Sequence, residues 1–377
     1  MTTILFLLFI LLLIHYTVFL IKILIGLNKL KKTFNERLPD EFISVIIPFR
    51  NESENILNSL KSIEHLNYPK EKFEVIYVDD NSTDDSFPLL TINRKGSNIR
   101  ILKLPYEIPS KGNKKGAVHY GIENSKGDII VQTDADCVHV SNWLQCIAKN
   151  FDPETAFVSG PVDLHEDSSL FSKMQKIEFE GLILAGAGLI GYGKPAICNG
   201  ANAAYRKKVF EEVSGFDGNN DLSSGDDVFL MQKISQRRRY KIKFSCDNEA
   251  VVLTKPCKNL EEFMRQRRRW AGKGIYFADK FLVIQLIFIL MFYTGLIIQP
   301  VLALSGVVIL WWLFIISVFI KILVEFQIIR KGENLFYDKN NIVIFILTEI
   351  LHIPYIIVSS LSGLPGKFSW KGRKIKR

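Results

Sequence analysis

Asp128-Ile129-Ile130-Val131-Gln132-Thr133-Asp134-Ala135-Asp136 is the stretch that decides the architecture. A β-branched run ends at one carboxylate, and a second carboxylate follows after a single small residue. The same figure occurs upstream: Phe73 to Val78 is β-branched and aromatic and stops at Asp79-Asp80-Asn81-Ser82. Ile43 to Ile47 ends at Pro48, and Ile99 to Leu104 reads as one more strand. Glu52 to Ile63 and Lys114 to Asn124 fall between these runs with helical spacing. Repeated strand–loop–helix units predict an α/β layer with a mainly parallel sheet across residues 42–255. Ligands of such sheets gather outside the carboxyl ends of the strands, which is where these acidic clusters fall.

The chain changes character on both sides of this domain. Ile4 to Ile21 is almost uninterrupted apolar sequence, long enough to cross a bilayer. No basic segment precedes it, no small-x-small cleavage site follows, and the apolar run resumes after Lys22. Residues 1–28 therefore read as a transmembrane anchor and not as a cleaved signal peptide. Leu260 to Trp270 is a basic helix, expected to lie along a membrane within residues 256–280. Phe281 to Ile320 holds two spanning-length runs, with a turn between Gln299-Pro300 and Gly306. Ile342 to Leu361 is a third candidate, interrupted by Pro354; these runs occupy 281–362 and leave a basic tail at 363–377. Four crossings would put that tail opposite the middle domain, against the positive-inside rule, so the last apolar segment is expected to be re-entrant or interfacial.

Charge follows the same division. The 377 residues are 48% hydrophobic yet 23% charged, with a formal net charge of +9. The basic residues sit beside the apolar runs: Lys29, Lys31, Lys32 and Arg37 after the first, Arg265 to Arg269 before the second, Lys371 to Arg377 at the end. That placement favours an anionic membrane surface over nucleic acid, for which interleaved aromatics along a basic groove are lacking. The 5 cysteines are scattered, with no C-x-x-C among them. A disulfide framework or zinc site is not expected, and a reducing compartment fits. The expected location is the plasma (inner) membrane, multi-pass, with the middle domain cytosolic.

Four clusters carry chemistry. Asp134 and Asp136 offer the hard oxygen ligands that Mg²⁺ or Mn²⁺ takes alongside substrate phosphates, where the ion offsets charge building on a leaving diphosphate. Asp79 and Asp80 place carboxylates where one can accept the imide N–H of a uracil, while Ser82 or Thr83 is expected to cap the following helix. Asp226-Asp227 opens a helix-like stretch, a position the dipole favours for acids. An ordinary Asp, with pKa about 3.9, is ionised at neutral pH and can take the proton of an acceptor hydroxyl. Gln266, Arg269 and Trp270, at i, i+3 and i+4, share one helix face that presents an amide, a guanidinium for phosphate and a flat platform. Arg267 and Arg268 read as a snorkelling basic belt. Gly186-Ala187-Gly188-Leu189-Ile190-Gly191 matches G-x-G-x-x-G, but it follows a helix-like run from Leu170 and no strand, so it reads as a loop or helix end.

These clusters, in this order over residues 43–270, resemble the family 2 glycosyltransferases with a GT-A fold. The flanking apolar segments resemble the family's membrane-bound branch, which includes synthases of cellulose, hyaluronan and chitin type. Ser44-Val45-Ile46-Ile47-Pro48-Phe49-Arg50-Asn51-Glu52 looks like the opening strand and nucleotide-contact loop, with Pro48, Arg50 and Glu52 near the nucleotide. Asp79-Asp80 looks like the base-binding pair, Lys114-Lys115-Gly116-Ala117 like the helix start near the donor, and Asp134-Ala135-Asp136 like the metal motif. Asp226-Asp227 matches the acidic pair whose second member is the base. Gln266, Arg269 and Trp270 match the Q-x-x-R-W motif that serves the diphosphate and acceptor. His119 departs from the family, which often carries Asn there.

The resemblance implies inverting transfer from a nucleotide-diphosphate sugar, in the first instance a UDP-sugar, to a lipid, lipid-linked or polysaccharide acceptor of the cell envelope, with Mg²⁺ or Mn²⁺ as cofactor. The alternative is a non-catalytic membrane protein that binds a sugar nucleotide within a polysaccharide synthase complex. The intact acidic pair and D-x-D argue against it.

Overall fold

The computed structural model describes residues 2–32, 39–105, 114–165, 167–218, 225–277 and 279–363, and the backbone of 367–370 and 373–376. Arg37, Glu166 and, in the basic tail, Lys371, Gly372 and Arg377 lie outside the described residues. In chain order the elements begin with α1 (Thr2–Lys29), β1 (Ile43–Phe49), α2 (Ile56–Glu64), β2 (Phe73–Asp79), α3 (Ser86–Asn93), β3 (Ile99–Lys103), α4 (Lys114–Glu123) and β4 (Ile129–Gln132). They continue with β5 (Val138–His139), α5 (Trp143–Ala148), β6 (Thr155–Ser159), β7 (Val162–Leu164), α6 (Leu170–Gly191), β8 (Ala203–Arg206), α7 (Lys207–Glu212), α8 (Asp226–Gln236), β9 (Lys241–Phe244) and β10 (Val252–Thr254). The last are α9 (Leu260–Ala271), α10 (Lys280–Leu304), α11 (Ile309–Leu335), α12 (Ile342–Gly363), β11 (Lys367–Trp370) and β12 (Arg373–Lys376). They group into two units. One holds α1, α6 and α9 to α12; the other holds both larger sheets and the β11–β12 hairpin.

In the sheet unit, seven strands run in the order β3-β2-β1-β4-β8-β6-β9. Every pairing is parallel except those of β8, which lies antiparallel between β4 and β6. The reason is in the sequence: β1, β2 and β4 are buried along their whole length and read as continuous apolar runs, as strands covered on both faces must. Register sets the level of the site. Phe49 pairs with Asp79 and Asp79 with Lys103, so the loops after β1 and β2 leave the sheet side by side. β8 enters at Ala203, opposite Gln132 at the end of β4. A smaller sheet, β5-β10-β7, flanks this edge.

In the helical unit, α1, α10, α11 and α12 are each long and apolar enough to cross a membrane. They carry large apolar side chains outward, including Ile4, Leu7, Leu11 and Ile14 on α1, which suits lipid and would be costly in water. α10 continues through Pro300 to Leu304, and the turn falls at Ser305–Val308, where Gly306 has φ 109. α12 runs unbroken through Pro354. Of the two forms expected from charge parity, re-entrant or interfacial, the re-entrant one needs a break in this segment, and α12 has none, because Pro354 withholds a single helical N–H without stopping the helix. The G-x-G-x-x-G match ends α6, as a helix end. Its glycines serve a close crossing with α1: a Cβ on Gly26 would lie 1.7 Å from the Gly188 carbonyl oxygen, and one on Gly188 would lie 2.6 Å from Ile23. Between the apolar helices, Lys321 is almost fully buried and donates to Glu325 (2.9 Å) and to Glu349, while Tyr16 donates to Glu325 at 2.5 Å. Paired in this way, charged groups are tolerated at such depth.

Candidate active site

The loops after β1 and β2 are stitched to each other before any ligand arrives. Asn51 and Asn81 both adopt left-handed backbone (φ 50 and 55), which Asn tolerates better than most residues. Arg50 Nη1 donates to the carbonyls of Asp80 (2.5 Å) and Asn81 (2.6 Å). Ser82 Oγ accepts from the Asn51 N–H, and Asn51 Oδ1 accepts from the Thr83 N–H at 2.8 Å. Asp79 is buried, and its Oδ1 accepts from the Ser82 N–H at 2.9 Å. Asp80 is equally buried, and its N–H donates to the Phe49 carbonyl. Glu52 accepts from Asn55 Nδ2 at 2.8 Å. Pro48 is buried within β1 at a level that β4 does not reach, since that pairing ends at Ile46, and its missing N–H breaks no ladder to β4.

One expectation fails here. Ser82 and Thr83 do not cap the helix after β2, because Ser82 is committed to Asn51 and the helix begins only at Ser86. Asp85 stands at the N-cap without a side-chain bond, and Asp84 before it accepts from the N–H groups of Ser53 and Ser86 and from Ser86 Oγ. Burial would raise its pKa, but the bonds from Ser86 and Ser53 outweigh it and hold the carboxyl below the usual range.

The end of β4 gathers Asp134, Asp226 and Asp227 about Lys114. Lys114 Nζ, at the start of α4, pairs with Asp134 Oδ1. Burial disfavours its charge, yet Asp134, Asp226 and Asp227 together hold the ammonium above the usual lysine range. Asp226 and Asp227 form the first turn of α8 behind Gly225, whose φ of 95 only glycine adopts freely. Gln132 ties strand to helix: its Nε2 donates to Asp226 Oδ2 at 3.0 Å, and its Oε1 accepts from the Tyr205 hydroxyl at 3.4 Å. Burial, Asp226 and Asp227 push the Tyr205 phenol well above its usual pKa, so it stays a donor. Gly200 leaves room for the acid beside it, since a Cβ there would lie 3.3 Å from both Cβ and Oδ2 of Asp227.

The D-A-D turn is clamped at its base. Thr133 Oγ1 and His139 Nε2 are 2.8 Å apart, His139 Nδ1 lies 3.2 Å from Ser62 Oγ, and the imidazole rests on Trp143. Burial pulls the His139 pKa down to about 3, so the ring is neutral. The donor set suits a hard divalent cation. Asp134 and Asp136 are half-buried oxygen donors, and a cationic group, the Lys114 ammonium, already lies against Asp134. Neighbouring Cys137 is buried, and burial with Asp136 and Asp134 keeps its thiol protonated, so no thiolate competes.

Gln266, Arg269 and Trp270 lie on α9 of the helical unit, which Asn259 caps by accepting from the Glu262 N–H. The basic-belt reading of Arg267 is overturned. Its side chain is 4% exposed and forks onto Glu178 of α6 through Nε (3.0 Å) and Nη2. Arg268 is exposed, as a belt residue would be. The signals missed in the sequence are Gln132 and Glu178: a polar residue inside an apolar run, and an acid that its charged neighbours Lys176 and Glu180 do not let stand out on α6.

Residues 44–214 match the family model of glycosyl transferase family 2. The probable glycosyltransferase YdaM of Bacillus subtilis is 27% identical over 64% of this chain and 57% of its own length. The hyaluronan synthase of Streptococcus pyogenes is 26% identical over 68% of this chain and 63% of its own length. This chain thus spans less than two thirds of either relative. The solved mannosyltransferase PcManGT from Pyrobaculum calidifontis, in complex with GDP-Man and Mn²⁺, aligns with a TM-score of 0.60 at 18% identity, over 96% of this chain and 99% of that one. That likeness is one of fold. By fold this chain is of GT-A type, and its residues 44–214 are similar to glycosyl transferase family 2.

Proposed function

We propose that the chain transfers a sugar, with inversion, from a nucleoside-diphosphate sugar to a lipid, lipid-linked or polysaccharide acceptor at a membrane. The observation that carries this is the arrangement of Asp134, Asp226 and Asp227 about Lys114 at the carboxyl edge of the sheet. A UDP-sugar is the first candidate donor. The GDP-Man in the PcManGT complex makes GDP-sugars the second. Asp79 and Asp80, in the loop braced by Arg50, are assigned to the base and ribose, with Pro48 and Glu52 alongside.

Asp136 and Asp134 are the residues that would hold Mg²⁺ or Mn²⁺. Such an ion, when bound, offsets negative charge on the diphosphate. Lys114 adds a fixed positive charge at the same place. Asp227 accepts the proton of the acceptor hydroxyl. The hydroxyl oxygen bonds to the anomeric carbon while the bond to the diphosphate oxygen breaks, and the nucleoside diphosphate leaves with that electron pair. Asp226, bonded to Gln132, fixes the first turn of α8 and with it the direction of Asp227. Gln266 and Arg269 are assigned to the leaving diphosphate and Trp270 to the acceptor. Lys29, Lys31 and Lys32 assign the sheet unit to the cytosolic face of the inner membrane.

The test is nucleotide release by the full-length protein in lipid nanodiscs, with membrane lipid extract as acceptor. UDP-, GDP- and TDP-sugars are each supplied with Mn²⁺ or Mg²⁺ and then with EDTA. Metal-dependent release from one donor is expected. Release from none would leave the non-catalytic alternative standing.

A further inference from the structure

A single guanidinium organises α9. Besides its fork onto Glu178, Arg267 donates through Nη1 to Gln266 Oε1, and its Cζ lies 4.4 Å from the ring centroids of both Phe263 and Trp270. Glu178 accepts a further bond from the Tyr355 hydroxyl on α12, and Tyr355 packs against Phe263 with ring centroids 5.4 Å apart. Arg267 and Glu178 are each 4% exposed, and Trp270 also leans on Phe179 of α6. The chemistry fixes orientation as well as place. A guanidinium only donates, so the Gln266 amide must turn its oxygen to Arg267, and its NH₂ group faces away. The Trp270 indole has one face taken by the guanidinium, which sets the plane of the ring. The fork can meet a carboxylate in one plane, which sets the roll of α9 on α6.

We infer that Arg267 is a positioning residue for the Q-x-x-R-W helix: latched to Glu178 and Tyr355, it turns the Gln266 amide donor and the Trp270 ring toward their working direction. The inference deepens the proposed transferase and rests on it for its kinetic consequence, though not for its structural one. Arg267 itself touches no substrate in this scheme.

Two variants of the full chain in nanodiscs test it. Arg267→Lys keeps the charge and loses the fork. The triple variant E178M/R267M/Y355F removes the buried charges and their partner together, so that no unpaired ion is left to unfold the protein. Both are expected to lower kcat at least tenfold with the donor KM within threefold, and to speed amide hydrogen exchange in residues 263–271 at least tenfold while α10 and α11 keep their protection. Wild-type kcat and wild-type exchange of α9 in the triple variant would overturn the inference. So would faster exchange spread evenly through α10 and α11, which marks general packing and no specific latch. If the wild-type protein transfers no sugar at all, the transferase reading fails by itself, and the exchange of α9 alone decides the latch.

Discussion

Two adjacent aspartates open α8: Asp226 accepts from Gln132, and Asp227 lies beside Gly200. The proposed function gives Asp227 the proton-accepting part, and removing its charge tests that assignment. Asp227→Asn should retain donor binding and lose turnover by a factor on the order of 10² to 10⁴. Near-normal turnover in that variant would sink the assignment. Gly200 offers a gentler probe of the same carboxylate. Gly200→Ala inserts a methyl 3.2 Å from Gln132 Nε2 and 3.3 Å from Asp227 Cβ and Oδ2, so the amide and the carboxylate must between them give by a few tenths of an ångström. Since small misplacements at reacting groups are costly, turnover should fall by roughly tenfold with donor KM little changed. Steady-state kinetics on a variant with unchanged thermal unfolding decides it, and full activity would show that the acid does not need that space.

At the scale of the element, the short turn from β4 to β5 shows how a site can depend on a residue that does no chemistry. His139 is held neutral by burial, with a pKa of about 3 against an ordinary value near 6.5. Between those values the unfolded chain binds a proton that the folded chain refuses, so the contribution of this site to stability is complete above pH 6.5 and is lost as the pH falls toward 3. The slope is ~1.4 kcal/mol per pH unit within that window. His139→Gln keeps hydrogen-bonding capacity and cannot titrate. Its thermal midpoint should therefore fall less between pH 7 and 5 than the wild type's, and parallel curves would refute the linkage. The elements themselves were legible in the sequence, because strands buried on both faces must be apolar and the acids that end them stand out. The clamp was not: Ser62, Thr133 and His139 are separated along the chain, and nothing local marks them as neighbours. Arg267 was misread for the same reason, since Glu178, which makes it a buried latch and no headgroup anchor, lies 89 positions away. Ser82 was misread because a cap and an inter-loop bond demand the same residue type.

Across the whole molecule, the sequence separates a charged α/β unit from long apolar helices cleanly, since lipid and water select opposite surfaces. It leaves open how the acids converge, because convergence depends on strand order. β1 lies between β2 and β4, and β8 returns antiparallel beside β4, which brings residues from four distant segments to one edge. At that edge Lys114 pairs with Asp134, and a divalent ion held there as proposed would compete with the ammonium for the same carboxylate, so the order of events has a measurable consequence. Without nucleotide, the ammonium already neutralises part of the cluster, and free Mn²⁺ should bind weakly. With a nucleoside diphosphate present, phosphate oxygens complete the coordination that two carboxylates begin, and metal and nucleotide should then bind together. Calorimetry on the full-length protein in nanodiscs is expected to show nucleotide binding that EDTA weakens at least tenfold. Asp136→Ala should abolish that metal dependence while leaving whatever binding the braced Asp79–Asp84 loop supplies to the base. If Asp136→Ala binds nucleotide with undiminished metal dependence, the ion is held elsewhere, and the D-x-D turn, however well clamped by His139, is not its seat.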